Sequence, residues 1–407
     1  MEEKRLQEYA KLLAAKGVGT EKGDEIWINC QLDQPDFVRM VVEECYKLGA
    51  KKVRVRFSDE KLAKLSYQYM GLKELSKVPE YSISEYRYMA KHLVSMLHIV
   101  SDDPTALAGV DIKKMMKASL KTRKKLKPFR DKMDGKYKWC IGAVPSIGWA
   151  EKVFPNLKGE EAVEALWKVI LDCSRVDGHA IENWNEHNEN LLKHRKKLQD
   201  LDLQYLEYHA SNGTNLKVEL IKGINWGGGF EKTDTGNVFN PNIPSEEVFT
   251  SPKAGSVEGI VYASKPLSYN GDLIEDFSVR FEGGRAVEVH AKKGQKLLEQ
   301  MIAMDDGAAK LGEVALVPYD SPIQNSGVLF YETLFDENAA CHLALGRGFK
   351  DLFPDSAEID KEEAKKRGLN DSMIHVDFMI GTADLEIIGT SFDGKRTTIF
   401  KDGNWAI

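Results

Sequence analysis

A chain of 407 residues, 42% apolar and 29% charged, has the make-up of an ordinary folded protein and is long enough for two domains or one large one. Collagen-like, disordered and disulfide-stapled classes are excluded. Its 57 basic and 63 acidic side chains leave a net charge of −6, too mild to draw the chain as a whole to nucleic acid or an anionic membrane. No window approaches the roughly 18 consecutive apolar residues of a membrane span. The start, Met1-Glu2-Glu3-Lys4-Arg5, lacks the apolar stretch of a secretory signal. Cys30, Cys45, Cys140, Cys173 and Cys341 are widely spaced, with no Cys-x-x-Cys pair. They point to a reduced, cytoplasmic protein without a zinc ribbon or disulfide framework.

In chain order, Leu6, Tyr9, Ala10 and Leu13 have helical spacing, which Gly17 and Gly19 end. Glu25 to Cys30 reads as a short strand. A helix is predicted to begin at Pro35, with Val38, Val41, Val42 and Cys45 on its apolar face, and to stop at Gly49. Val53, Val55 and Phe57 alternate with Arg54 and Arg56 at strand period, completing a β-α-β unit. Strands near Met96–Val100 and Tyr137–Val144 and helices around 160–174 and 182–200 extend the alternation, so an α/β N-terminal domain is expected over residues 1–225. No G-x-G-x-x-G or Walker A pattern follows any of these strands, which argues against a nucleotide site. Ten basic residues between Lys113 and Lys132, with Phe129 the one aromatic among them, read as a solvated helix face rather than a nucleic-acid surface.

From about residue 215 the pattern turns to strands and glycine turns. Gly227-Gly228-Gly229 and Asn240-Pro241-Asn242-Ile243-Pro244 read as connectors. Strands are predicted at 257–263, 273–282 and 285–291, the last two joined by a Gly283-Gly284 hairpin. A helix at Gln295–Met304 precedes strands at 313–318, 374–380, 384–390 and 395–400, with turns at Asp393-Gly394 and Asp402-Gly403. The expected second domain, residues 226–407, is therefore mixed α+β and strand-rich.

This half carries six potential metal ligands in apolar or turn-like settings: Glu247, Glu313, Glu337, His342, His375 and Asp377. In His375-Val376-Asp377 an imidazole and a carboxylate two residues apart share one face of an apolar strand. Burying both requires a partner, which is either a divalent cation or the hydrogen bond each offers the other. His342, between Cys341 and Leu343, alone reads as a core histidine. Glu313 alone reads as a strand-edge charge, and Glu246-Glu247 as the acidic first turn of a short helix. Together the six offer four carboxylates and two imidazoles. Such an oxygen-rich, thiolate-free set suits two ions of Zn, Co, Mn or Mg, a device for amide and phosphate-ester hydrolysis.

At these residues the sequence resembles the M29 aminopeptidases. The likeness lies in Asn242–Pro252 around Glu247, in Leu311-Gly312-Glu313-Val314-Ala315-Leu316-Val317-Pro318, in Leu334–Gly346 around Glu337 and His342, and in Gly368–Gly381 around His375 and Asp377. The resemblance implies a C-terminal catalytic domain holding two divalent ions on Glu247, Glu313, Glu337, His342, His375 and Asp377. It implies release of the N-terminal residue from peptides with a free N-terminus, and a homodimer; in the mechanism expected for such a site, Glu313 or Glu247 is the proton-transferring carboxylate. The family pattern often has a tyrosine seven residues after the ligand histidine, and Phe349 stands there, without a hydroxyl to steady an oxyanion. Two alternatives remain at this point: another two-metal hydrolase, and a catalytically impaired member acting as a binding protein.

Overall fold

Strand-period residues Glu25–Gln31 and Lys52–Ser58, with the helix Pro35–Lys47 between them, form the β-α-β unit that the sequence predicts. The computed structural model describes residues 2–269 and 272–407. Four parallel strands stand in the order Lys52–Ser58, Glu25–Gln31, Ser95–Val100, Trp139–Ala143, and such a sheet needs helical crossovers. Pro35 opens the first helix at its first turn and Val38, Val41 and Cys45 are its buried stripe. The basic run lies in the helix Ile112–Met133, which buries Ala118, Leu126 and Met133 and is capped by Asp111 accepting from the Lys114 N–H. Its lysines and arginines are almost all exposed. Helices at Glu60–Tyr69 and Glu80–His92 were not predicted. The first buries no residue at all, so no core-facing stripe marks it in the sequence.

The N-terminal helix Glu3–Leu12 continues into a wider turn at Leu13–Gly17 and pins the sheet through one residue. Tyr9 is fully buried, and its hydroxyl accepts from the Ala143 N–H (3.1 Å) and donates to the Ala143 carbonyl (3.2 Å). Tyr9→Phe strips both bonds from a dry site. The expected cost is about 1–3 kcal/mol, read as a lower urea midpoint with an unchanged slope.

The chain forms two compact units: residues 1–185 with 230–244, and residues 186–229 with 245–407. The boundary expected near 225 is thus replaced by three crossings. The reason lies in Asn240–Ile243, whose backbone is tied to the first unit: Asn240 N–H bonds the Lys16 and Gly17 carbonyls, Ile141 N–H bonds Pro241 O, and Ile243 N–H bonds Ile141 O.

The second unit holds two antiparallel sheets. Among the described residues the larger has nine strands, with Pro252–Tyr262, Asn215–Leu220, Leu203–His209 and Glu386–Ser391 at its centre. Asp272–Glu282 and Arg285–Lys293 pair as the predicted hairpin. The smaller runs His375–Met379, His342–Gly346, Leu311–Leu316, Val248–Thr250. Its two inner strands are buried along their whole length, and Leu311, Val314, Leu316, Leu343 and Leu345 join the main apolar cluster of the unit. Among the described residues no helix is long and apolar enough to cross a membrane.

Candidate metal centre

The small sheet brings together residues far apart in sequence through its register. Ala344 pairs with Asp377 on one side and Glu313 on the other, while Gly346 pairs with His375 and Ala315 with His342. Paired residues share a face, as do residues two apart on one strand. Glu313, His342, Asp377 and His375 therefore project from one face, around the small side chains of Ala344 and Gly346. A register shift between Leu311 and Glu313 sets this row. Gly312 occupies the bulge, where a Cβ would sit 2.4 Å from the carbonyls of both Gly346 and Arg347.

Glu247, just before the strand Val248–Thr250, completes the group. Donor atoms of Glu247, Glu313 and His342 lie within 4.8 Å of one another, and so do those of Glu313, His375 and Asp377. Glu313 belongs to both triads. His342 Nε2 is 3.1 Å from Glu247 Oε2, and His375 Nε2 is 3.0 Å from Glu313 Oε2 and 3.3 Å from Asp377 Oδ1. Each imidazole is oriented from behind: Nδ1 of His342 meets the Ala340 carbonyl at 3.1 Å and Nδ1 of His375 the Arg347 carbonyl at 2.6 Å. That leaves both Nε2 atoms facing the carboxylates, as in metal sites where an outer partner fixes the ligand ring.

Burial and crowding distort the titration of Glu313, Glu337, Asp377 and both imidazoles. Desolvation, followed by the charges of Asp377 and Glu247, pushes Glu313 up to about 7 even though His375 opposes the shift. Glu337 lies beside both triads without belonging to either. Burial and the charges of Asp377, Glu247 and Glu313 hold its carboxyl well above the usual range. Burial lowers both imidazoles, but Asp377 and Glu313 more than reverse this for His375, to about 11, and Glu247, Glu313 and Asp377 for His342, to about 9. Asp377 is held below the usual range because His375 and His342 outweigh its desolvation. Its Oδ1 atom is buried and accepts no well-formed hydrogen bond. An acid-rich, dry cluster with such an oxygen is a poor core and a good cation cradle. The donor set fits hard or borderline divalent ions.

Several supporting residues escaped the sequence reading. Asn338 accepts from the Glu246 N–H (2.7 Å) and donates to the Leu334 carbonyl (2.9 Å), fixing the segment that carries Glu247. Asn370 donates to the carbonyls of Gly346 (2.5 Å) and Gly307 (2.8 Å). Asp336 accepts from the N–H groups of Phe330 (2.8 Å) and Glu332 (3.2 Å), and its burial pushes it up to about 7. Three consecutive polar residues, Asp336-Glu337-Asn338, set between Leu334-Phe335 and Ala339-Ala340, are the available signal. Phe349 is half-buried, its ring centroid 5.0 Å from that of His375.

Known proteins resemble this chain over nearly its whole length. The family model for thermophilic metalloprotease (M29) matches residues 2–405. The chain is 40% identical over 404 residues to aminopeptidase AmpS of Bacillus subtilis (strain 168), covering 99% of this chain and 98% of that one. It is also 40% identical over 406 residues to aminopeptidase 2 of Geobacillus stearothermophilus, with the same coverage. Wild-type AmpT from Thermus thermophilus superimposes with a TM-score of 0.91 at 37% identity, over 99% of both chains. With the match running from residue 2 to residue 405, the chain belongs to the M29 metalloprotease family.

Proposed function

We propose that this protein is a metal-dependent aminopeptidase that hydrolyses the N-terminal peptide bond of peptides, using two divalent ions held by Glu247, Glu313, Glu337, His342, His375 and Asp377. The observation that carries the reading is the pair of triads sharing Glu313, in a chain 40% identical end to end to aminopeptidases. The second unit is then the catalytic domain. When bound, the ions supply a Lewis acid for the scissile carbonyl and acidify a water toward neutral pH. Glu313 or Glu247 accepts the proton of the attacking water and passes it to the leaving amine. The acidic cluster also attracts the substrate's free α-ammonium, which confines cleavage to the first bond. Family membership supports a homodimer as part of the same reading. Five buried cysteines outside any disulfide support a cytoplasmic, reducing location.

The test is release of leucine from a free-N-terminus peptide by protein stripped with chelator and reloaded separately with Zn, Co, Mn and Mg. Activity is expected to vanish with the chelator, to return with at least one ion, and to be absent on the N-acetylated peptide. Equal cleavage of the acetylated peptide sinks the exopeptidase reading. A folded, metal-loaded protein inactive with every ion supports the binding-protein alternative that Phe349 raises.

Metal uptake is expected to release protons. Without metal, His342 and His375 titrate at about 9 and about 11, so both are protonated at neutral pH, whereas ligation needs neutral imidazoles. Loading near pH 7.5 should therefore release about two protons per chain from these rings, and affinity should fall as pH falls. Titration of metal into weakly buffered protein with a pH indicator measures this, and no release contradicts imidazole ligation.

A further inference from the structure

We propose that the rings of Phe249 and Phe349 form the shelf on which the side chain of the substrate's N-terminal residue lies, so that this enzyme selects large apolar residues there. The inference rests on the metallo-aminopeptidase reading and names its substrate class.

The shelf lies on the ligand side of the small sheet. Phe249 pairs with Ala315, which pairs in turn with His342, so the Phe249 ring projects from the face that carries Glu313, His342 and Asp377. The Phe349 ring packs edge-on against it at 5.1 Å between centroids, and its other neighbour is the His375 ring at 5.0 Å. The pair flanks His375, the triad ligand with the most exposed side chain. The side chains of His342, Glu313, Glu247 and Asp377 are 1–9% exposed, whereas His375 is 20% exposed. The triads are thus approachable at the His375 edge, where both rings remain only half-buried.

The rings are held in place before any substrate arrives. Phe349 N–H donates to Oγ of the fully buried Ser251 at 2.8 Å. Phe249 exchanges backbone hydrogen bonds with Gly227, whose missing side chain admits the ring: a Cβ there would lie 2.6 Å from Phe249 Cζ. Both rings lean on the cluster of Ile221, Ile224, Leu352, Phe353, Ile359, Ala364 and Leu369. A rigid aromatic surface binds an apolar side chain with little ordering cost. Phenylalanine offers it no hydrogen bond, and four nearby carboxylates repel an acidic side chain. Discrimination by an apolar wall of this kind is worth about 10–200-fold between side chains of different size.

The experiment compares leucyl and alanyl anilides on the zinc-reloaded enzyme, together with calorimetric binding of free L-leucine and L-alanine. The native protein is expected to favour leucine by at least about tenfold in kcat/KM. Phe349→Ala and Phe249→Ala should each cut that preference about tenfold, chiefly through KM, while Phe349→Leu retains most of it. Leucine binding should weaken in the same order. If the folded variants slow both substrates equally and leave the ratio and the binding preference intact, the rings are merely structural and the proposal is overturned. If the native enzyme cleaves neither anilide, the aminopeptidase reading falls instead, and the binding comparison alone still decides the shelf.

Discussion

Replacing Glu313 with glutamine should lower kcat/KM for a leucyl peptide by at least about 10³-fold, the range seen when a general base is lost, with the drop in kcat. Glu313 is the one residue common to both ligand triads. The amide keeps the shape and removes the charge, so it would hold a cation less well and could not accept a proton. Metal analysis should show a fall in bound ion alongside the loss of rate. The fold itself should tolerate the change. Burial and the neighbouring charges of Asp377 and Glu247 already disfavour the ionised form of Glu313, and a neutral side chain relieves that repulsion in metal-free protein. The expected thermal midpoint of the chelated variant is therefore no lower than that of the chelated native chain. Retained activity with full metal occupancy would falsify the central place given to Glu313.

The largest stability effect is expected at Gly346→Ala. Gly346 has φ +111, and a Cβ there would lie 2.1 Å from the Ile374 carbonyl oxygen and 2.7 Å from its carbon. Both obstacles are backbone, so relief requires the strand His375–Met379 to shift away from its neighbour. The backbone strain alone costs about 1–3 kcal/mol, and overpacking adds a comparable amount. A total of about 3 kcal/mol or more should appear as a fall of several degrees in the thermal midpoint. Because His375 follows Ile374 directly, activity measured well below that midpoint should fall as well. Gly394 is the control: its φ is +87 with nothing within 4 Å of a built Cβ. Gly394→Ala should therefore cost only the conformational share and leave activity intact.

The sequence discloses same-strand relations well and cross-strand ones poorly. His375 and Asp377 were readable as one face because period 2 requires nothing beyond a strand. The β-α-β start was readable because Val53, Val55 and Phe57 alternate and Pro35 marks a helix start. The convergence of Glu247, Glu313 and His342 depends instead on strand order and on a bulge at Gly312, neither of which has a local signature. The strand His342–Gly346 is buried at all five positions, so alternation could not announce it. Singly they read as a first-turn acid, a strand-edge charge and a core histidine, and the motif resemblance is what implies them as ligands of one site. Leu203–His209 and Asn215–Leu220 are strands that the predicted elements do not include, although Leu216, Val218 and Leu220 alternate.

The return of residues 230–244 to the first unit bears on how the chain is made. A nascent polypeptide stopped after residue 185 has all four parallel strands, yet it lacks the segment whose carbonyl at Pro241 receives the Ile141 N–H and whose Asn240 N–H engages Lys16 and Gly17. The outer strand Trp139–Ala143 would emerge from the ribosome with one edge unsatisfied, the kind of edge that invites association with other chains. Synthesis must run a further 59 residues, from 185 to 244, before that edge is covered. By then residues 186–229 are already exposed, waiting for the sequence beyond 244 to give them a core. The two units are therefore interleaved in time as well as in sequence.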